Sequence, residues 1–143
     1  MILKIPAIQI PLYWELIKYA SIKAEGVKKE HVKSYVIELL FNLLDGTDQV
    51  LLSFNPDKSL NRVLIYSFYL DPMTREKVMF FKTLYSFNHA SRENWEQESL
   101  LVYEFAKSEG CQVIKMQIRN PKIIQITEEY GGVEDSRNYS IKL

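Results

Sequence analysis

Ala106-Lys107-Ser108-Glu109-Gly110-Cys111 is the stretch on which the fold turns, because it closes a long helical pattern and opens a strand. Gly110 takes the left-handed backbone of a helix C-cap without steric cost, and Val113 to Ile118 then alternates as a strand. The helix that ends here extends back to Glu93, with Leu100, Leu101 and Phe105 in the helical pattern. Downstream, Pro121 suits the first position of a short helix running to Tyr130, and Gly131-Gly132 closes it. A last run, Tyr139 to Leu143, alternates as a final strand.

Upstream of the long helix lie three runs rich in β-branched and aromatic residues: Val50 to Phe54, Val63 to Leu70 and Val78 to Phe87. Asn55-Pro56-Asp57 and Asp71-Pro72 separate them with turn chemistry, so the three predict an antiparallel meander. Further back, Val32, Tyr35, Val36, Leu39, Leu40 and Leu43 make a core-facing stripe on a helix from Glu30 to Leu44, ended by Asp45-Gly46. Leu12, Leu16, Tyr19 and Ala20 place a similar face on a helix from Pro11 to Ala24, ended by Gly26. Met1 to Ile10 reads as a short strand that Pro6 kinks or confines to an edge. The order is therefore β-α-α-β-β-β-α-β-α-β. It describes an α/β (α+β) domain over residues 1–143, with a mixed, mostly antiparallel sheet flanked by helices.

Composition bounds the chemistry. A chain of 143 residues, 47% hydrophobic and 25% charged, is long enough for one core and too short for two full domains. Eighteen basic residues balance eighteen acidic ones, so no net field draws the chain to nucleic acid or to an anionic membrane. One cysteine, Cys111, and two histidines, His31 and His89, exclude an internal disulfide and zinc-ligand spacing. No stretch approaches the roughly 18 apolar residues of a membrane span, and the start lacks a signal-peptide pattern, so a soluble, cytoplasmic protein is expected. The charged runs Lys28-Lys29-Glu30 and Glu93 to Glu98 read as solvated surface. Tyr66, Phe68, Tyr69, Phe80, Phe81, Tyr85 and Phe87 crowd two neighbouring strands without a basic patch, which predicts core packing rather than an RNA-stacking platform.

The element order and the Ala-x-x-x-Gly-Cys stretch together resemble the GNAT N-acetyltransferase superfamily, as do Asn120 after the following strand and Gly131 beyond it. The resemblance covers the C-terminal half by motif and the N-terminal half by element order. It implies an acetyl-CoA cofactor, held by a glycine-rich loop whose N–H groups meet the pyrophosphate at a helix N-terminus. In this chain the matching positions are Ala90, Glu93 and Trp95, and no glycine occurs from Asn88 to Ser108. Carboxylates of Glu93, Glu96 and Glu98 stand where the phosphates would lie. The family's acid position falls on Thr127, too weak an acid, which leaves Tyr130 as a nearby substitute and His89 as a candidate base. Backbone amides at Tyr85, Ser86 and Phe87, with Arg92 and Asn120, are the candidate cofactor contacts.

Two functions follow as expectations. One is a GNAT-fold protein without acetyl transfer and without a cofactor, using Glu93 and Trp95 to contact a protein partner or a second copy. A loose resemblance to GNAT-like proteins of tailed phages implies a virion-associated role for it. The other is an acetyl-CoA-dependent N-acetyltransferase with an atypical loop, acting on an amine.

Overall fold

Val50 and Leu52 face one way along their strand and Leu51 the other, yet all three are buried, so both faces of the sheet must be covered. The computed structural model, which describes residues 1–88 and 91–143, shows how. Five strands, β1 (Ile2–Ile5), β2 (Gln49–Phe54), β3 (Leu60–Leu70), β4 (Lys77–Ser86) and β5 (Val113–Met116), lie in that order across one sheet. Neighbours are antiparallel except β4 and β5, which run parallel. Helices α1 (Ile10–Glu25) and α2 (Val32–Asp45) cover the face built from Val50, Leu52, Val63 and Ile65. Helix α3 (Arg92–Ser108) covers the opposite face, where Leu51, Leu64, Tyr66, Met79 and Phe81 meet Val102 and Ala106. A fourth helix, α4 (Pro121–Glu129), follows β5.

The turns form for local reasons. Asp71 Oδ1 accepts from the N–H groups of Met73 and Thr74, at 2.8 and 3.2 Å, and fixes the β3–β4 turn. Asp57 does the same for Ser59 N at 2.9 Å in the β2–β3 turn. At the end of α3 the Gly110 N–H donates to Lys107 O and the Cys111 N–H to Ala106 O, both at 2.9 Å, with Gly110 at φ 78°. This doubly bonded glycine cap turns the chain from α3 into β5. Residues 130–132 repeat it at the end of α4, where Gly131 N donates to Glu128 O and Gly132 N to Thr127 O.

The structure corrects several expectations. No strand forms over Tyr139–Leu143: the segment carries no regular structure, and Tyr139 and Ile141 are 83% and 87% exposed. Alternation of side chains describes sides and supplies no partner strand, and β5 pairs only as far as Met116. The first strand stops at Ile5, because Pro6 leads into a 3-10 turn over Ala7–Gln9 and Ile10 already opens α1. A second 3-10 turn over Lys29–His31 likewise precedes α2. On α1 the inward residues are Ile10, Ile17, Ala20 and Ser21, whereas Leu12, Leu16 and Tyr19 are exposed. On α3 they are Val102 and Ala106, with Phe105 beside them, whereas Leu100 and Leu101 are 63% and 50% exposed. Both helices carry apolar residues on more than one side, so periodicity alone allows two registers. Among the described residues no helix is long and apolar enough to cross a membrane.

Candidate functional site

Strands β4 and β5 part company halfway along β4. Their pairing runs from Val78↔Val113 to Phe81↔Met116 and ends there, while β4 continues to Ser86. At the same point the β3–β4 register slips: Ile65 faces Thr83 and Tyr66 faces Phe81, so Lys82 is the extra residue of a β-bulge. The bulge bends β4 away from Gln117 to Asn120, opening a cleft bordered by Lys82, Leu84, Arg119 and the end of α1 at Glu25. Glu25 Oε1 accepts from Thr83 Oγ1 at 3.1 Å, and the Glu25 carbonyl accepts from Arg119 Nη1 at 2.9 Å. Burial, and then the nearby Glu25 carboxylate, push the Tyr35 hydroxyl up to about 12. Lys82, on the border of the cleft, pairs with the buried Asp48, its Nζ 2.9 Å from Oδ2.

At the start of α3 the polar groups are already engaged. Ser91 is the N-cap, its Oγ accepting from Asn94 N at 3.2 Å, while its carbonyl accepts from Trp95 N at 3.1 Å. Arg92 reaches Glu129 of α4 at 3.0 Å and Glu96 at 3.6 Å. Tyr130 Oη donates to Glu96 Oε1 at 2.7 Å, so two side-chain bridges tie α3 to α4. The bond to Glu96 holds the Tyr130 hydroxyl above its ordinary value, and contact with Tyr130 and then Glu129 raises the Arg92 guanidinium. Glu93 stands exposed in the first turn. A pyrophosphate needs free N–H groups and positive charge at this position. These residues do not fit one: the cap occupies a donor, the Arg92 guanidinium is paired with the carboxylates of Glu96 and Glu129, and no glycine opens the backbone.

Behind α3 lies a buried polar cluster inside an apolar layer. Arg62, at the start of β3, is only 1% exposed. Its Nε donates to Ser86 Oγ at 2.7 Å, its Nη1 bonds Glu98 Oε2, and its Cζ sits 3.8 Å from the centre of the Trp95 ring. Glu98 completes its own bonding through Oε1, which accepts from Ser53 Oγ and, at 3.3 Å, from Asn61 Nδ2. Burial draws the Arg62 guanidinium below its ordinary value and the Glu98 charge partly restores it. The cluster forms one end of a cavity of about 270 Å3 between the sheet, α3 and α4. Leu64, Phe81, Val102, Ile114, Met116 and Ile126 make most of its wall, and Thr127 and Tyr130 its rim.

The site residues expected from sequence are thus scattered. Tyr85 and Phe87 pack with Tyr19 of α1 on the other face of the sheet. The Phe87 amide is taken by Asn61 O at 2.8 Å, and strand alternation turns the Ser86 amide toward the open edge. Asn120 is the N-cap of α4, its Oδ1 accepting from Lys122 N at 3.0 Å. Thr127 donates to Ile123 O at 2.7 Å. Trp95 spends one ring face on Arg62 and is half-buried. His89 and Ala90 lie outside the described residues. Cys111 is half-buried and burial raises its thiol, which suits a packing role. Among the described residues no group of acids, histidines and cysteines could hold a metal ion.

Glu98 overturns the reading of Glu93 to Glu98 as uniformly solvated surface, since its side chain is only 13% exposed and faces inward. The sequence carries one signal for it: Trp95, Glu98, Val102 and Phe105 recur at the spacing of three and four that marks one helix side. Arg62 and Glu25 have no comparable local signal. Each matters through a neighbour distant in the chain.

No protein-family model matches the chain, and no curated protein matches it. Solved structures match over its full length. A probable acetyltransferase of known crystal structure superposes with a TM-score of 0.75 at 14% identity, covering 100% of this chain and 97% of that one. A candidate acetyl transferase from Pyrococcus furiosus gives 0.74 at 19% identity, with 100% and 99% covered. Ribosomal-protein-alanine N-acetyltransferase from Brucella melitensis gives 0.70 at 14% identity, again with 100% and 99% covered. The fold of this chain is the GNAT fold, as the order of its elements implied.

Proposed function

We propose that this GNAT-fold chain does not hold acetyl-CoA in the family's manner and acts as a non-catalytic module that binds another protein. One observation carries the reading: the start of α3 is capped by Ser91, bridged to α4 through Arg92–Glu129 and Glu96–Tyr130, and faced with carboxylates. Fold alone does not assign chemistry; the site does, and this one is built against a polyphosphate. The outer side of α3 supports a protein partner. Glu93 and Leu100 are seven residues apart, so they share one side of the helix, where Leu100 and Leu101 are exposed. A virion component is the partner that the resemblance to phage proteins implies. Isothermal titration with acetyl-CoA tests the reading: no saturation is expected up to millimolar ligand, and saturable binding at micromolar levels would overturn it. Crosslinking from position 93 or 100 is expected to capture the partner.

A second reading rests on the cleft where β4 leaves β5. Glu25, next to Thr83 at the bulge, is a carboxylate placed to accept a proton from an ammonium entering that cleft. In this reading the chain is an N-acetyltransferase with an unusual cofactor loop, and Glu25→Gln abolishes turnover of a responsive amine while leaving the fold intact. An acetyl-CoA-dependent assay over a panel of primary amines separates the two readings, since the first expects no turnover.

A further inference from the structure

We infer that this chain associates with a second copy of itself across the outer edge of β1, joining the two sheets antiparallel and covering the exposed side of α2. β1 is an outermost strand of the sheet, and among the described residues nothing pairs with its outer edge. The bonding pattern shows which groups that edge offers. Met1 N donates to Phe54 O at 3.3 Å and Phe54 N to Met1 O at 2.9 Å, so the two residues form a hydrogen-bonded pair. In an antiparallel ladder such pairs recur at every second residue, here Leu3↔Leu52 and Ile5↔Val50. The N–H and C=O groups of Ile2 and Lys4 therefore point away from β2 and are placed to bond another strand.

A second copy of β1 matches those groups in one register. Pairing Ile2 with Lys4 of the copy, and Lys4 with Ile2 of the copy, makes four backbone bonds about a two-fold axis at Leu3. Centring the axis on Ile2 halves that number. Centring it on Lys4 sets like charges opposite each other and brings in Pro6, which has no N–H. In the favoured register Leu3 faces Leu3 of the copy in a non-hydrogen-bonded pair, where Cα atoms approach to about 4.5 Å. Strand alternation puts Leu3 on the same face as the buried Ile5, the face that α1 and α2 cover.

The apolar surface beside this edge calls for the same cover. Helix α1 packs over β4 and α2 beside β2, so α2 is the helix nearer to β1. Tyr35 of α2 faces Glu25 and Ser21 of α1. Ile37 and Leu44, two and nine residues further on, are turned from it by about 160° and 180°, which points them to the β1 side. Both are exposed, as are Leu3, Phe41 at 68% and Ile8 at 87%, the last in the 3-10 turn that packs on α2. Together these five side chains present on the order of 500 Å2 of apolar area. A standard interface buries roughly 800 Å2 per partner, so the strand edge and its rim have the smaller share to supply. Three strand spacings, about 14 Å, separate β2 from its image, close to the 10–12 Å diameter of a helix with its side chains. Each α2 flank thus meets its own image above the Leu3 pair. The 18 basic and 18 acidic residues set no net repulsion between copies. Helix α3 covers the opposite face, so this interface is separate from the partner surface proposed above.

Sedimentation equilibrium is expected to give a reversible dimer with a dissociation constant on the order of 10 µM and no larger species, because a two-fold pairing closes on itself. Leu3→Glu sets two carboxylates against each other across the axis, and Phe41→Glu does the same to the α2 flank. Each is expected to weaken the dimer at least about tenfold with the far-UV spectrum unchanged, since neither residue is buried. In a Cys111→Ser background, Leu3→Cys is expected to give a disulfide-linked dimer on mild oxidation. Lys4→Cys is expected to give none, because its Cα atoms stand about 8 Å apart in this register. A chain that stays monomeric up to about 500 µM would overturn the proposal. So would equal crosslinking at positions 3 and 4, or a dimer that Leu3→Glu leaves intact, whether α3 or the Tyr139–Leu143 segment holds it.

Discussion

Replacing Glu98 by glutamine keeps the shape of the side chain and removes the charge that Arg62 is buried against. Arg62 is 1% exposed and Glu98 13%, so solvent cannot take over as counter-charge without opening α3. Breaking a buried pair from one side costs about 3–5 kcal/mol. The lower end applies here, because glutamine still accepts one hydrogen bond and the Trp95 ring remains over the guanidinium, a contact of about 1–2 kcal/mol. Against a total stability on the order of 7–14 kcal/mol for a domain of this size, a loss of about 3 kcal/mol is a large share. It corresponds to a fall in Tm of roughly 6–12 °C. Urea unfolding at neutral pH, followed by circular dichroism and fluorescence with a common slope, measures it. A second variant, Arg62→Met with Glu98→Met, removes both charges and is expected to recover most of the loss. Glu98→Gln within about 0.5 kcal/mol of the parent, or a double variant no more stable than the single one, would refute the argument that charge balance holds the cluster together.

Further outcomes follow from local geometry. Ser91→Ala removes the N-cap of α3 and is expected to cost about 1 kcal/mol in the same unfolding assay. Gly132→Ala places a Cβ 2.5 Å from Thr127 Cγ2 and 2.8 Å from Thr127 O, so the cap of α4 must shift and the variant is expected to unfold at lower urea. Asp45, Asp57 and Asp71 all have carboxyls held below the ordinary 3.8. Hydrogen bonds from Thr47 and from Ser59 lower the first two, and the Met73 and Thr74 amides lower the third. A depressed carboxyl stabilises the fold above its unfolded value and loses that contribution as pH falls through its folded value. Stability is therefore expected to decline below about pH 4, and Asp71→Asn to flatten that decline; an unchanged acid limb in Asp71→Asn would exclude the β3–β4 turn as a contributor.

Much of the architecture follows from short-range chemistry and is legible in the sequence. Gly110 and Gly131 end their helices because the backbone there must be left-handed, at φ 78° and 89°. Asp71-Pro72 turns the chain because an aspartate can bond amides two and three residues on. The meander, the crossover through α3 and the absence of glycine from the start of that helix are likewise local facts. Tertiary structure decided the rest, since the competing local solutions were nearly equal. Helices α1 and α3 each offered two apolar registers, and only packing against the sheet chose Ile17 over Leu16 and Val102 over Leu101. An acid in a charged run reads as surface until an arginine from another strand is found beneath it. Glu98 turns inward because Arg62, 36 residues earlier, needs its charge. The opening between β4 and β5 depends in the same way on the bulge at Lys82, visible only once β3 and β4 are paired. The sequence alone determined the order of the elements from β1 to α4 and the glycine ends of the helices. Which sides meet, and hence the buried polar cluster and the cavity beside it, came from contacts between residues far apart in the chain.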